Sequence, residues 1–216
     1  MKKYDTIIFD LDGTLLDTLE DITDSANFSL TMHGFPCRKI EEIRSFVGNG
    51  VARLIELAIP DGINNPQYEK CLADFRHHYS RNMQNKTNAY KGIMDLLRHL
   101  SKENYKIAIV SNKFDMAVKK LNQVYFGEYI KVAIGESKGV SKKPAPDTVF
   151  KALEELGSNV NKAVYIGDSE VDVKTAQNSG IICIGVTWGF RNREVLAQEG
   201  ANYIIDKPEE VFKIIS

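Results

Sequence analysis

The apolar positions of this 216-residue chain follow two patterns that alternate along its length. Short apolar runs without strict alternation recur at Tyr4–Phe9, Lys106–Val110, Lys131–Ile134, Ala163–Ile166, Ile181–Val186 and Asn202–Ile205, and most end at a Gly, Asp or Ser cluster. Runs of this kind predict strands buried on both faces, as in a parallel sheet. Between most of them the spacing turns helical. Pro146–Leu156 places Val149, Ala152, Leu153 and Leu156 on one face and stops at Gly157. Gly92–Lys102 carries Ile93, Leu96, Leu97 and Leu100 in the same way, and Ser169–Ser179 stops at Gly180. Strands alternating with helices predict a doubly wound, Rossmann-like α/β core around a parallel sheet.

Residues 17–86 break that rhythm, because the stretch offers helical spacing and no good strand. Thr18–Met32 has Leu19, Ile22, Ala26 and Leu30 on one stripe, with Asp17 or Thr18 as N-cap and Gly34 as stop. Val51–Ile59 is a compact apolar helix ended by Pro60, and Asn65-Pro66 opens a further helix through Tyr68, Leu72, Phe75 and Tyr79. An α-helical cap of residues 17–86, inserted into an α/β core of 1–16 and 87–216, is the organisation this predicts. His77 and His78 have no third ligand at metal spacing and are expected as solvated side chains of the Pro66–Gln84 helix.

Composition narrows the classes. The 28 basic and 29 acidic residues nearly cancel, so the broad basic surface of a nucleic-acid binder is not expected. Three cysteines without CxxC spacing (Cys37, Cys71, Cys183) suit a reduced, cytoplasmic setting better than a disulfide scaffold or zinc site. The N-terminal apolar run is short and broken by acids, unlike a signal peptide. No segment approaches the ~20 apolar residues of a membrane span.

Four polar clusters stand at strand ends or just after them. The first strand runs into Asp10-Leu11-Asp12-Gly13-Thr14. This reads either as an ordinary Asp-Gly turn or as a pair of carboxylates awaiting a cation, since a buried carboxylate without cation or donors is costly. Ser111-Asn112-Lys113 closes the second strand, and reads either as a turn with an N-cap or as a set of phosphate donors. Lys142-Lys143-Pro144 is a solvated loop or a source of positive charge. Gly167-Asp168-Ser169-Glu170-Val171-Asp172 is a capped helix start or a second acidic group. Taken together they favour chemistry. If the first strand is central, with the Ser111 and Asp168 strands on either side, all four converge on the crevice where strand order reverses.

This set of DLDGT (Asp10–Thr14), Ser111-Asn112, Lys143 before Pro144 and GDSEVD (Gly167–Asp172) resembles the four motifs of the haloacid dehalogenase superfamily over essentially the whole chain. Within it, FVGNG (Phe46–Gly50), KPAPD (Lys143–Asp147) and GVTWGF (Gly185–Phe190) resemble the bacterial phosphoglycolate phosphatases, and pyrophosphatases and β-phosphoglucomutases share parts of the pattern. The resemblance implies that Asp10 is a nucleophile that is transiently phosphorylated and Asp12 the general acid and base. It implies Mg²⁺ held by Asp10, the Asp12 carbonyl and Asp168, and phosphate held by Ser111, Asn112 and Lys143. Asp172 is expected behind them, orienting Lys143 or a metal-bound water. The acid at position 12 favours phosphoryl transfer over dehalogenation and favours turnover over a persistent phospho-intermediate.

Substrate choice is expected from the cap, where Gly48-Asn49-Gly50 offers backbone amides and Arg53 a guanidinium; a plain interhelical turn and a solvated helix face are the competing readings. Trp188 is expected in core or loop packing. The implied partner is a small phosphomonoester, best phosphoglycolate, with pyrophosphate or a sugar phosphate as alternatives and a monomer or homodimer as the assembly. A phospho-accepting signalling domain uses similar groups. The chain is too long for one, and its key Asp lies on the first strand.

Overall fold

The computed structural model describes residues 3–215. Strand β1 (Thr6–Phe9) is followed by the short β2 (Leu16–Asp17) and four helices, α1 (Leu19–Met32), α2 (Ile40–Phe46), α3 (Val51–Ala58) and α4 (Tyr68–Asn82). The short β3 (Asn88–Ala89) pairs with β2. Beyond it come α5 (Ile93–Lys102), β4 (Lys106–Phe114), α6 (Asp115–Tyr125), β5 (Val132–Glu136) and α7 (Asp147–Leu156). The chain continues through β6 (Ala163–Gly167), α8 (Glu170–Ser179), β7 (Ile182–Val186), α9 (Arg193–Gln198) and β8 (Tyr203–Ile205). It forms two compact units, Met1–Leu16 with Ala89–Ser216, and Asp17–Asn88.

The first unit is built on a six-stranded sheet of order β5-β4-β1-β6-β7-β8, parallel at every pairing. From β1 the chain adds β4 and β5 on one side, then crosses back to add β6, β7 and β8 on the other. That reversal makes the end of β1 the switch point of a doubly wound sheet. The register aligns Phe9 with both Ile109 and Ile166, so β1, β4 and β6 deliver the residues that follow to one level. Side chains alternate in direction along each strand. Ile8, Ala108, Val110, Ile134 and Tyr165 point to the layer that also holds Val149 and Ala152 of α7 and Val173 and Ala176 of α8. Burial on both sides is why these strands read as continuous apolar runs.

One strand departs from its sequence reading. β4 runs on through Ser111, Asn112 and Lys113 to Phe114, with a shift of register against β5 after Val110. The three polar residues are buried, at 2%, 4% and 5% exposure, and Asn112 and Lys113 find partners in distant segments, which local periodicity cannot register. Helix α6 therefore begins at Asp115, four residues beyond Ser111.

The second unit packs the apolar stripe of α1 with α4. Ile22, Ala26 and Leu30 are buried, as are Leu72, Phe75 and Tyr79. Its two ends are tied by Asp21, whose carboxylate accepts from the backbone N–H groups of Lys86 and Thr87 and from the Thr87 hydroxyl at 2.8–3.1 Å. His77 is exposed, but His78 is not simply solvated. Its ring stacks on Phe28 at 4.0 Å between centroids and its Nδ1 lies 3.0 Å from Ser25 Oγ. Two helices meeting face to face shelter one of two adjacent histidines and leave the other in water. The three cysteines are free, and among the described residues no helix is long and apolar enough to cross a membrane.

Candidate active site

Asp10 directly follows β1, and its backbone N–H donates to the Ile166 carbonyl at 2.9 Å, which ties the residue to β6. Its carboxylate is 7% exposed and meets the ammonium of Lys143 at 2.6 Å. Lys143, 3% exposed, stands in the loop before α7 and its peptide to Pro144 is cis. Besides Asp10, its Nζ donates to Asp172 Oδ1 at 2.8 Å and to the Tyr165 hydroxyl at 3.0 Å. An ammonium has three N–H donors, so this set occupies all of them. Tyr165 in turn donates to Asp172 Oδ1 at 2.9 Å.

Asp172 lies in the first turn of α8. Its Oδ2 accepts from Ser169 N at 3.0 Å and Ser169 Oγ at 2.6 Å, the reciprocal cap that starts the helix. Four donors converge on this one carboxylate, about its full capacity. The capped-helix reading of Ser169–Asp172 and the acidic-group reading therefore both hold, one on each oxygen.

Asp168, at the end of β6, is 1% exposed. Phe190 N donates to its Oδ2 at 2.7 Å and Thr14 Oγ1 to its Oδ1 at 3.1 Å. Gly13 (φ 87°) and Gly189 lie flat against Asp168, so a Cβ at either place would collide with its side chain. Trp188 Nε1 donates to the Thr14 carbonyl at 3.0 Å, and Arg191 makes two bonds to Glu170. The expected loop packing of Trp188 is thus a specific one, against the turn after β1.

Asp12 pairs with Lys113 Nζ at 3.0 Å, with side chains 12% and 3% exposed. Within the stretch where β4 shifts register, Ser111 Oγ accepts from Lys113 N at 3.1 Å. Asn112 Nδ2 donates to the Lys143 carbonyl at 2.9 Å, bracing that loop. Gly48, Asn49, Gly50 and Arg53 belong to the second unit. Gly48 and Gly50 have φ of 125° and 84°, Gly50 precedes α3, and Arg53 is half exposed and paired with Glu56. The motif reading did not single out Lys113 or Tyr165. Lys113 directly follows Ser111-Asn112 in a polar cluster that the sequence already marks, whereas Tyr165 reads in sequence only as one more apolar strand position.

Carboxylate oxygens of Asp10, Asp168 and Asp172 lie within 4.8 Å of one another. Burial, reinforced by Asp172, raises the pKa of Asp10 well above the usual carboxylate range against the pull of Lys143. Burial and Asp172 likewise push Asp168 up to about 7. For Lys143, burial works against the charge, yet Asp10 and Asp172 hold its pKa above the ordinary lysine value. When all four acids Asp10, Asp12, Asp168 and Asp172 are ionised they face two ammoniums, Lys113 and Lys143, leaving two negative charges that one divalent cation would balance. Asp172 is saturated. Each Asp168 oxygen takes one of the bonds above, which leaves it lone pairs to offer a hard cation.

A family model described as haloacid dehalogenase-like hydrolase matches residues 7–186. Phosphoglycolate phosphatase 1 of Pseudomonas aeruginosa is 31% identical over 93% of this chain and 75% of its own length. Among solved structures, a candidate phosphoglycolate phosphatase from Lactobacillus delbrueckii subsp. bulgaricus is 35% identical with a TM-score of 0.93, covering 99% of this chain and 98% of the other. CbbY from Rhodobacter sphaeroides, in complex with phosphate, is 25% identical with a TM-score of 0.81 over 96% of both chains.

Proposed function

The chain belongs to the haloacid dehalogenase-like hydrolases, and from that premise we propose that it is a magnesium-dependent phosphatase of small phosphomonoesters, with phosphoglycolate as the favoured substrate. The observation that carries the proposal is the buried meeting of Asp10, Asp168, Asp172 and Lys143 at the end of β1. The names of its relatives support the choice of substrate.

Asp10, Asp168 and the Asp12 carbonyl would hold the magnesium ion, which when bound supplies positive charge against the phosphoryl oxygens. The protein's own groups carry the reaction. An Asp10 oxygen attacks phosphorus, the ester P–O bond breaks, and Asp12 gives a proton to the departing oxygen. Water then attacks phosphorus of the aspartyl-phosphate, Asp12 takes the water's proton, and the P–O bond to Asp10 breaks to free phosphate. Lys143 must exchange at least one of its three present bonds to reach a phosphoryl oxygen, and the Asp10 contact is the one that the attack itself loosens. Asp172 and Tyr165 keep the ammonium in place meanwhile. Ser111 would offer a hydroxyl from the end of β4, while Asn112 has one amide hydrogen committed to the Lys143 loop.

Turnover of p-nitrophenyl phosphate with MgCl2, and its loss in EDTA, tests the reaction class. Recovery of the phosphate on Asp10 by acid quench and mass spectrometry tests the intermediate. A panel of phosphoglycolate, pyrophosphate, hexose phosphates and nucleoside monophosphates, ranked by kcat/KM, tests the substrate. Preference for pyrophosphate or a hexose phosphate overturns the substrate and leaves the reaction class standing.

A further inference from the structure

We infer that Lys113 is a specificity-determining residue, its ammonium binding a negative charge carried on the substrate's leaving group, one carbon beyond the ester oxygen. The inference rests on the phosphatase reading above and adds to it where the tail is recognised.

Three observations support it. Lys113 is held at the end of β4, its backbone N–H on the Ser111 hydroxyl at 3.1 Å and its side chain 3% exposed. Its ammonium is 3.0 Å from Asp12 Oδ1, the carboxylate that must also touch the ester oxygen in order to protonate it. And Lys143, the other buried ammonium, has its three donors on Asp10, Asp172 and Tyr165. Of the two buried cations among the described residues, then, Lys113 is the one placed beside Asp12, where the leaving group would depart.

The geometry fits a short acid. Two partners on one carboxylate stand roughly 5–6 Å apart, given donor–acceptor distances of about 2.8 Å. A carboxylate on the carbon next to the ester oxygen extends about 3 Å beyond that oxygen, and an ammonium–carboxylate bond spans the remaining ~2.8 Å. A glycolate leaving group therefore bridges Asp12 and Lys113, whereas an uncharged ethyl group of similar length leaves the ammonium without that partner. A cationic tail is repelled. Recognition of this kind sits in the sheet and requires nothing of Arg53, whose guanidinium is paired with Glu56.

The test compares three esters of similar length in wild-type enzyme with MgCl2: phosphoglycolate, ethyl phosphate and O-phosphoethanolamine. Expected kcat/KM falls in that order. In Lys113→Met the preference for phosphoglycolate over ethyl phosphate falls at least about tenfold, mostly through KM, and Lys113→Arg retains a preference for the anionic ester. The ratio of two esters measured on one preparation is independent of how much of a variant is folded. Should Lys113→Met yield no protein, the wild-type series and Lys113→Arg still decide. A wild-type enzyme indifferent to tail charge, or a Lys113→Met variant that loses both esters equally, overturns the inference while leaving the phosphatase reading intact. Failure to hydrolyse any ester with magnesium overturns that reading, and the inference with it.

Discussion

The α/β unit and the inserted helical unit hold their candidate residues in opposite ways. At the end of β1 the acids and lysines are almost wholly buried, and each is fixed by named partners from four separate segments. In the inserted unit, Gly48–Gly50 form a turn ahead of α3 and Arg53 lies half in water on an i,i+3 pair with Glu56. A buried charge is expensive, so an arrangement such as Asp10–Lys143–Asp172 persists only if every member is satisfied. An exposed guanidinium on a helix face is cheap to keep and cheap to change. The residues proposed for the chemistry are therefore held in the part of the molecule that tolerates least alteration.

The sharpest way to break this comparison is at Asp10. Asp10→Asn is nearly isosteric and should lower kcat at least about a thousandfold, roughly 4 kcal/mol of barrier, while melting at or above the wild-type temperature in the metal-free state. A variant within tenfold of wild type would remove Asp10 as nucleophile. Asp172→Ala should act on folding as well, because it strands Lys143, Tyr165 and Ser169; breaking a buried pair costs about 3–5 kcal/mol, and urea unfolding measures it. A loss under 1 kcal/mol would mean that the network is not what holds Lys143.

Asp168 supplies a pH test of the same contrast. Its folded pKa of about 7 lies above the unfolded carboxylate value of about 3.9. Between those limits the folded protein binds the extra proton, so Asp168's contribution makes the metal-free protein lose stability as pH rises from about 4 to 7 and level off above. A divalent ion must displace that proton, so magnesium affinity should climb with pH up to about 7 and then flatten. Thermal melts across this range, with and without MgCl2, test both limbs; metal-free stability that rises with pH through the window would contradict the assignment unless other groups are shown to titrate there.

The smallest effect is expected in the inserted unit. Arg53→Ala should raise KM for phosphoglycolate no more than about threefold, since the side chain is half exposed and already paired. A rise above tenfold, confined to phosphoglycolate and absent for ethyl phosphate, would transfer recognition of the tail from Lys113 to Arg53.

By itself the sequence determined the sheet and the places where chemistry gathers. Six apolar runs, helical spacing between them and polar clusters at their ends follow from local rules of burial and periodicity. Convergence of the four clusters required the first strand to lie between those of Ser111 and Asp168, a condition that local rules do not supply and that the sheet order meets. Only the tertiary structure decided what the polar residues do once inside. Ser111-Asn112-Lys113 reads as a strand end because it is polar, yet it is buried strand, since its partners come from residues 12 and 143. Tyr165 reads as an apolar strand position, but its hydroxyl lies between Lys143 and Asp172. Asp172 reads as a helix cap, and its second oxygen holds a lysine 29 residues away in the chain. In each case the deciding partner is remote in sequence. A polar side chain is worth burying only when such a partner is present, and no local pattern carries that information.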